Sequence, residues 1–310
     1  MAHADVTIFR NRRDVVGEGP VWDDDARCLW WVDTVGKTIH RADPLNDNTE
    51  TYAVPQPPAA LALADDGALI VAAGLAWLRF EPGFAALAQH AIWRQQPASM
   101  RFNDGVVDAR GRFWTGTLHE AREPVGELLC LDEAEVRCVV NGLRTQNGCA
   151  ISPDSRTFYL ADSHPHVCAI WAFDFDLERG DLANRRLFHR PSHGRPDGAA
   201  VDSDGCYWFA AVDGGRIVRL DPDGAEMSAV KLPVSRPTKP VFGGSDLSTI
   251  YVTSMSAGTD PAVEPMAGAV LAIETGVRGL RQPRVNNSPA KARPLAGASQ
   301  TADPIGRKRK

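Results

Sequence analysis

The amino-acid sequence predicts an all-β protein folded as a six-bladed β-propeller, and three observations predict it. A short apolar run, an Asp/Gly/Ser-rich turn and an aromatic or β-branched strand recur six times down the chain. The copies are VWDDDARCLWWVD from 21, LALADDGALIVAA from 61, VVDARGRFWTGT from 106, AISPDSRTFYLAD from 150, AVDSDGCYWFAA from 200 and VFGGSDLSTIYVTS from 241. Their turn residues Asp25, Gly67, Gly111, Ser155, Gly205 and Asp246 are separated by 42, 44, 44, 50 and 41 positions. Most copies are followed by a second strand-like run that ends in an acid: IHRADP, WLRFEP, ELLCLD, IWAFDFD, IVRLDP. No amphipathic helical stretch competes with this pattern. A period of roughly 40–50 residues with several short strands per copy is the signature of propeller blades. One such sheet cannot bury both of its faces, but a closed ring of them can.

Taken in order, ADVTIF precedes the first copy and is placed to complete the last blade, closing the ring and removing two sheet edges. Each copy then supplies an inner strand, a turn and a second strand, and the acid-terminated run supplies a third. A further β-rich stretch such as EVRCVV or EMSAVKLP supplies a fourth. The propeller is expected over residues 1–284. Beyond it, NNSPAKARPLAGASQTADPIGRKRK reads as part of a disordered basic tail, 285–310.

Hydrophobic residues make up 44% and charged residues 24% of the 310, a globular balance that supports a sizeable core. A formal net charge of -5 and a pI near 5.9 argue against nucleic-acid or membrane-surface partners. No apolar run approaches the roughly 18 residues of a membrane span. The N-terminal MAHADVTIFRNRRD lacks the apolar stretch of a signal peptide, so a cytoplasmic location is expected. The six cysteines form no Cys-x-x-Cys pair and are expected to be reduced, mostly buried thiols.

If each copy opens with the inner strand of a blade, the residues just ahead of it stand at one end of the central channel. Counting back from each turn residue finds Glu18 in GEGPVW, Asn103 in FNDGVV, Asn147 in QNGCAI and Asp197 in RPDGAA, with Pro58 or Ala59 and Thr238 in the other two blades. Four of six equivalent positions therefore carry an oxygen donor. Two carboxylates and two carboxamides about one point suit a hard divalent cation. The set is all oxygen, which fits Ca²⁺, Mg²⁺ or Mn²⁺ at least as well as Zn²⁺. Hydrogen bonds between blades, completed by water, are the alternative; they account for the asparagines better than for the paired acids. Because adjacent strand residues point to opposite faces, Asp104 is expected to bond a neighbouring blade. His119, His164, His166 and His193 are expected on solvated loops, and Trp22, Trp30, Trp31, Trp114, Trp171 and Trp208 between blades.

With these motifs in hand, the chain resembles the gluconolactonase/regucalcin/luciferin-regenerating-enzyme family of six-bladed propellers. The matching segments are GEGPVWDDDARCLWWVD, RFNDGVVDARGRFWTGTL, QNGCAISPDSRTFYLADSHP, GRPDGAAVDSDGCYW and FGGSDLSTIYVTS, together spanning about residues 14 to 284. SHPH, TQNG and GRPDGAAVD look like the bacterial sugar-lactonase branch. The resemblance implies that Glu18, Asn147 and Asp197 hold one divalent metal (Ca, Zn, Mg, Mn or Fe) and that Arg101, Asn103 and Glu120 contact substrate. It also implies hydrolysis of a sugar lactone to its aldonic acid. Ala121 stands where animal members carry a second acid, which bears on the preferred sugar.

In the mechanism this suggests, the metal polarises the lactone carbonyl, Asp197 is the general base for an attacking water, and Arg101 and Asn103 hold ring hydroxyls. No G-x-S-x-G elbow is present for a serine nucleophile. Two other readings stay open: a hydrolase of non-sugar lactones or esters, and a calcium-binding propeller without turnover. One chain closes the ring, so a monomer is the default and a dimer remains open.

Overall fold

The structure, a computed structural model, describes residues 5–93 and 99–286 and the backbone of 293–294. Six antiparallel sheets are arranged as a propeller. Blade 6 takes its outermost strand from the N-terminus, β1 (Asp5–Arg10). Blade 1 is β2 (Gly17–Asp23), β3 (Cys28–Asp33), β4 (Thr38–Ala42) and β5 (Thr49–Ala53). Blade 2 is β6 (Pro58–Leu63), β7 (Leu69–Ala73), β8 (Ala76–Glu81) and β9 (Ala86–Ile92). Blade 3 is β10 (Met100–Val107), β11 (Phe113–His119), β12 (Gly126–Asp132) and β13 (Glu135–Leu143). Blade 4 is β14 (Gln146–Ile151), β15 (Thr157–Asp162), β16 (Ala169–Asp176) and β17 (Asp181–His189). Blade 5 is β18 (Arg195–Val201), β19 (Tyr207–Val212), β20 (Arg216–Leu220) and β21 (Glu226–Lys231). Blade 6 is completed by β22 (Pro237–Gly243), β23 (Thr249–Ser254) and β24 (Val270–Glu274), on which β1 pairs antiparallel. This is the ring closure expected of ADVTIF. Among the described residues, no helix is long and apolar enough to cross a membrane.

Aromatic pairs stand at all six blade-to-blade seams. They are Trp30–Phe80, Trp77–Phe102, Trp114–Phe158, Tyr159–Tyr207, Trp208–Phe242 and, at the closure, Trp22 stacked on Tyr251 at 5.6 Å. Large rings bury the most apolar area per residue, and offset or edge geometry adds to it, so one pair per seam makes the ring cohere. Trp171 is half-buried, packed as expected against the apolar cluster between blades 3 and 4 and covered on its outer face by the Arg185 guanidinium. The turn residue with left-handed backbone is Gly67, Gly111, Ser155 or Gly205 in blades 2 to 5. In blades 1 and 6 it is Arg27 and Leu247, downstream of the Asp25 and Asp246 that the repeat aligned.

Past β24 the chain crosses the end of the channel. Val285, one residue beyond the expected end of the propeller, is buried in the cluster between blades 2 and 3, and its amide donates to Leu63 O. Asn286 is also described and donates through its backbone amide to Gly111 O at 3.0 Å; beyond it, apart from the Arg293–Pro294 backbone that pairs with β9, the expected tail lies outside the described residues. None of the six cysteines is in a disulfide; Cys28, Cys130, Cys149 and Cys206 are buried, Cys168 is partly buried and Cys138 is exposed.

Candidate active site

The six inner strands β2, β6, β10, β14, β18 and β22 surround the channel, each touching the next. Every one of them carries a register shift near its N-terminal end: Glu18/Val21, Pro58/Ala60, Phe102/Gly105, Asn147/Ala150, Pro196/Ala199 and Pro237/Pro240. A bulge places an extra residue in one strand and locally breaks the two-residue alternation of side chains. The in-phase positions Glu18, Asn103, Asn147 and Asp197 all sit at these bulges. The sixth blade's Thr238 turns away, donating to Gly17 O at 2.6 Å across the closure.

The four donors are individually held. Asn147 Nδ2 donates to Ser163 Oγ at 2.7 Å, and the Ser163 hydroxyl donates to Pro196 O. Because that hydroxyl has only one proton to give, it must accept from Asn147, which fixes which end of the amide is nitrogen. Asn147 Oδ1 is thereby presented on the Asn103 side, where Asn103 Nδ2 donates to it at 2.9 Å. Asn103 Nδ2 also reaches Gln146 O at 2.7 Å, so Asn103 Oδ1 is left to accept from Arg101 Nη1 at 3.2 Å. Glu18 Oε2 accepts, among the described residues, only from its neighbour Gly19 N, at 3.0 Å. Among the described residues, the Asp197 carboxylate accepts no hydrogen bond, although the residue is only 5% exposed.

These acids are under electrostatic load. Burial, and then the charges of Asp197 and Asp104, push the Glu18 carboxyl well above the usual range. Burial, and then Asp104, raise Asp197 to about 7, against the pull of Arg195, Arg236 and Arg122. Two under-bonded carboxylates, one buried and one half-buried, beside amide oxygens are a poor arrangement by themselves and a suitable one around a cation. Among the described residues no three His, Cys, Asp or Glu side chains gather as a metal cluster. A cation here would be held by two carboxylates and completed by amide oxygen, and Glu18, Asp197 and Asn147 fit that role.

Asp104 shows where the alternation argument fails. Its Oδ2 accepts from Cys149 N of blade 4 at 2.8 Å, the neighbouring-blade bond expected of it. The bulge turns its Oδ1 into the channel, where it contacts the Lys239 ammonium from blade 6, three blades away. Lys239 Nζ also donates to Gly105 O at 2.8 Å. Burial works against this ammonium, but the charge and hydrogen bond of Asp104 outweigh it and hold the pKa above its ordinary value. Lys239 was not identified from the sequence. Its side chain can cross the channel because Gly198 has none: a Cβ there would stand 2.5 Å from both Cβ and Cγ of Lys239. On the far side of Lys239 the channel opens into a cavity of about 320 Å³, apolar over most of its wall, with Val21, Leu61, Val107, Val201 and Phe242 among its lining. The wall of this cavity is mostly apolar, whereas the paired acids and amides gather on the other side of Lys239, so the candidate site is placed at the acidic end.

Around the mouth stand Arg101, on β10 beside Asn103, and Glu120, exposed in the turn after β11, whose charge reaches Arg101. Arg122, in the same turn, was not anticipated; its charge acts on both Asp197 and Arg101. Of the histidines, His119 is tied to Ser99 and to Ala121 N, His164 to the amide of His166, and His193 to Ser192. None is hydrogen-bonded to the four donors.

Residues 16–256 match the family model described as the SMP-30/gluconolactonase/LRE-like region. The chain belongs to this family. It is 38% identical to 6-deoxy-6-sulfogluconolactonase of Pseudomonas putida over 281 residues, 87% of this chain and 94% of that one. It is 35% identical to regucalcin of Gallus gallus over 295 residues, 90% and 98% of the two chains. Among solved structures, the calcium-binding protein regucalcin from Agrobacterium tumefaciens superposes with a TM-score of 0.87 at 23% identity, covering 92% of this chain and 100% of that one. A luciferin-regenerating enzyme superposes at 0.84 with 25% identity, covering 91% and 99%. The propeller architecture is thus that of the family, as the motifs implied.

Proposed function

We propose that the protein is a divalent-metal-dependent lactonase that hydrolyses a sugar lactone to its aldonic acid, with Glu18, Asn147 and Asp197 as the metal ligands. One observation carries the reading: a buried carboxylate, Asp197, and a half-buried one, Glu18, both without adequate hydrogen bonds, converge with an orientation-locked amide oxygen, beside a polar Arg101–Asn103 pair. A family relative named for a gluconolactone supports the substrate class. A cation bound here would draw electron density from the lactone carbonyl and stabilise the charge that develops on its oxygen.

The chain's own residues supply the rest. Asp197 takes a proton from the attacking water as the carbon–oxygen bond to that water forms. Its unshared oxygen is free for this, since no other described side chain bonds it. The acyl–oxygen bond of the ring breaks and the ring oxygen leaves as the hydroxyl of the acid, accepting the proton that Asp197 carried. Arg101 and Asn103 donate to and accept from ring hydroxyls, fixing the carbonyl relative to the water. Glu120 lies at the mouth, where its exposed carboxylate can accept from a hydroxyl. Ser163 keeps the Asn147 oxygen turned inward.

The test is proton release from a panel of aldono-1,4- and 1,5-lactones, with metal-stripped protein compared with protein given Ca²⁺, Mg²⁺, Mn²⁺, Zn²⁺ or Fe²⁺. Metal-restored acid production above the spontaneous rate is expected from at least one sugar. Bound metal without turnover of any lactone would instead support a binding propeller.

A further inference from the structure

Once Glu18 and Asp197 are committed to a cation, Arg101, Arg122, Arg195 and Arg236 outnumber the other acids that act on them, Glu120, Asp162 and Asp213. Arg195 and Arg236 share a single acid, Asp213, through contacts that include Arg236 Nε at 3.0 Å. Arg101 spends one guanidinium nitrogen on Phe102 O at 2.8 Å and on Asn103. Arg122 is fixed by its backbone, which is left-handed at φ 58°: its amide donates to His119 O at 2.8 Å and its carbonyl accepts from Arg144 Nη1 at 3.0 Å. Its guanidinium is not tied in the same way, and Nη1 is buried without a hydrogen-bond partner. Burial, and then the like charge of Arg122, bring the Arg101 pKa down to about 10, so the two cations act on one another at the mouth. Burial also lowers Arg122, and the charge of Asp197 is what chiefly offsets it. A cation on Asp197 would leave only the smaller pull of Asp162.

Two guanidinium groups at one mouth, one with a buried donor unused, suit an anion: planar N–H forks match the oxygens of a sulfonate, phosphate or carboxylate. A neutral polyol would not relieve the repulsion between them. Resting on the lactonase reading above, we propose that the site selects a sugar lactone carrying an anionic substituent away from the lactone carbonyl, and that Arg122, together with Arg101, is the specificity determinant that binds it.

The test compares kcat/KM of the metal-loaded protein and its Arg122→Gln and Arg122→Lys variants on glucono-1,5-lactone and on its C6-phosphorylated, C6-sulfonated and C6-carboxylate counterparts. Each is run at low and at moderate salt. At least one anionic lactone is expected to be preferred tenfold or more, mainly through KM, and the one preferred names the anion. Added salt should reduce the preference, R122Q should reduce the anionic-to-neutral ratio at least tenfold, and R122K should restore part of it. Equal or better turnover of the neutral lactone, or an R122Q variant that loses both substrates alike, would overturn the proposal. Calorimetric binding of glucose 6-phosphate against glucose separates this inference from the lactonase reading. If no lactone is hydrolysed but Arg122-dependent binding of the phosphate persists, anion selection stands and the lactonase reading falls. If neither is seen, both fall.

Discussion

Replacing Lys239 with Met tests whether the Asp104–Lys239 pair under the acidic site is coupled as the structure implies. The side chain keeps its unbranched stem and its seat over Gly198 but ends one atom short, so the change removes the charged Nζ and its hydrogen bonds while leaving the packing of the stem. Asp104 retains hydrogen bonds from Gly105 N and Cys149 N, both at 2.8 Å, but loses its counter-charge, and Gly105 O loses its donor. Both residues are buried, Asp104 at 2% and Lys239 at 7% exposure. Breaking such a pair by removing one partner costs about 3–5 kcal/mol, because the survivor is an uncompensated buried charge. For a domain of this size that is a fall in Tm of roughly 6–20 °C. The double variant D104N/K239M removes both charges and should recover much of the loss. Metal affinity supplies a second readout with opposite signs. K239M leaves a net negative charge beneath the ligands and should tighten binding, while D104N leaves a positive one and should weaken it. Each shift should be on the order of tenfold, the effect of 1–2 kcal/mol from a nearby charge at an effective dielectric constant near 20. Melting curves and metal titrations of the wild type, both single variants and the double complete the cycle. A K239M protein as stable as wild type, or single variants that move metal affinity in the same direction, would refute the reasoning.

Four further outcomes are expected. Asp197→Asn removes a carboxylate ligand and the proposed base together, so lactone turnover should fall at least about a thousandfold in the proton-release assay, more than the 10²–10⁴ of base loss at its lower limit. Ser163→Ala frees the Asn147 amide to rotate and should weaken metal binding about 10–100-fold by titration, the usual effect of losing a ligand's supporting hydrogen bond. Gly198→Ala places a methyl where Lys239 runs and should cost about 1–3 kcal/mol in chemical denaturation, the range for overpacking. Asp197 has its folded pKa raised to about 7, above the unfolded carboxylate value. Between roughly pH 4 and 7 the folded metal-free protein therefore binds the extra proton, and its stability falls as pH rises through that window. Asp14 is raised to about 7 in the same way, by burial outside the site, and contributes equally with and without metal. The increase in Tm produced by metal should then be larger at pH 8 than at pH 5, and an increment independent of pH would count against Asp197 as a ligand.

The parts legible in the sequence share one property: they repeat. Strand alternation within each copy, and a spacing of 41 to 50 residues between copies, reveal a ring before any contact is known. Within the ring, Glu18, Asn103, Asn147 and Asp197 fall at equivalent places. What was not legible depends on breaking that symmetry. Asp104 and Lys239 are 135 residues apart and meet only because blades 3 and 6 face each other across a closed channel. Their aim into that channel follows from bulges that a strict two-residue alternation does not anticipate. Arg122 lies in a turn, outside the repeat, and nothing in HEAREP separates it from a solvated surface arginine until its charge is found to act on Arg101 and Asp197. The division has a physical reason. The repeat encodes the scaffold and the shared cation chemistry, which need many similar contacts. Selectivity needs a few dissimilar ones, and these sit where the repeat is interrupted: the two charged side chains among small residues such as Gly19, Gly148 and Gly198 on the channel wall, and the arginine in the turn at its mouth. If that is so, exchanging the 119–125 turn for that of a family relative should change which lactone is preferred while leaving metal affinity and Tm nearly unchanged. A turn exchange that removed metal binding would show that scaffold and selectivity are not separable in this chain.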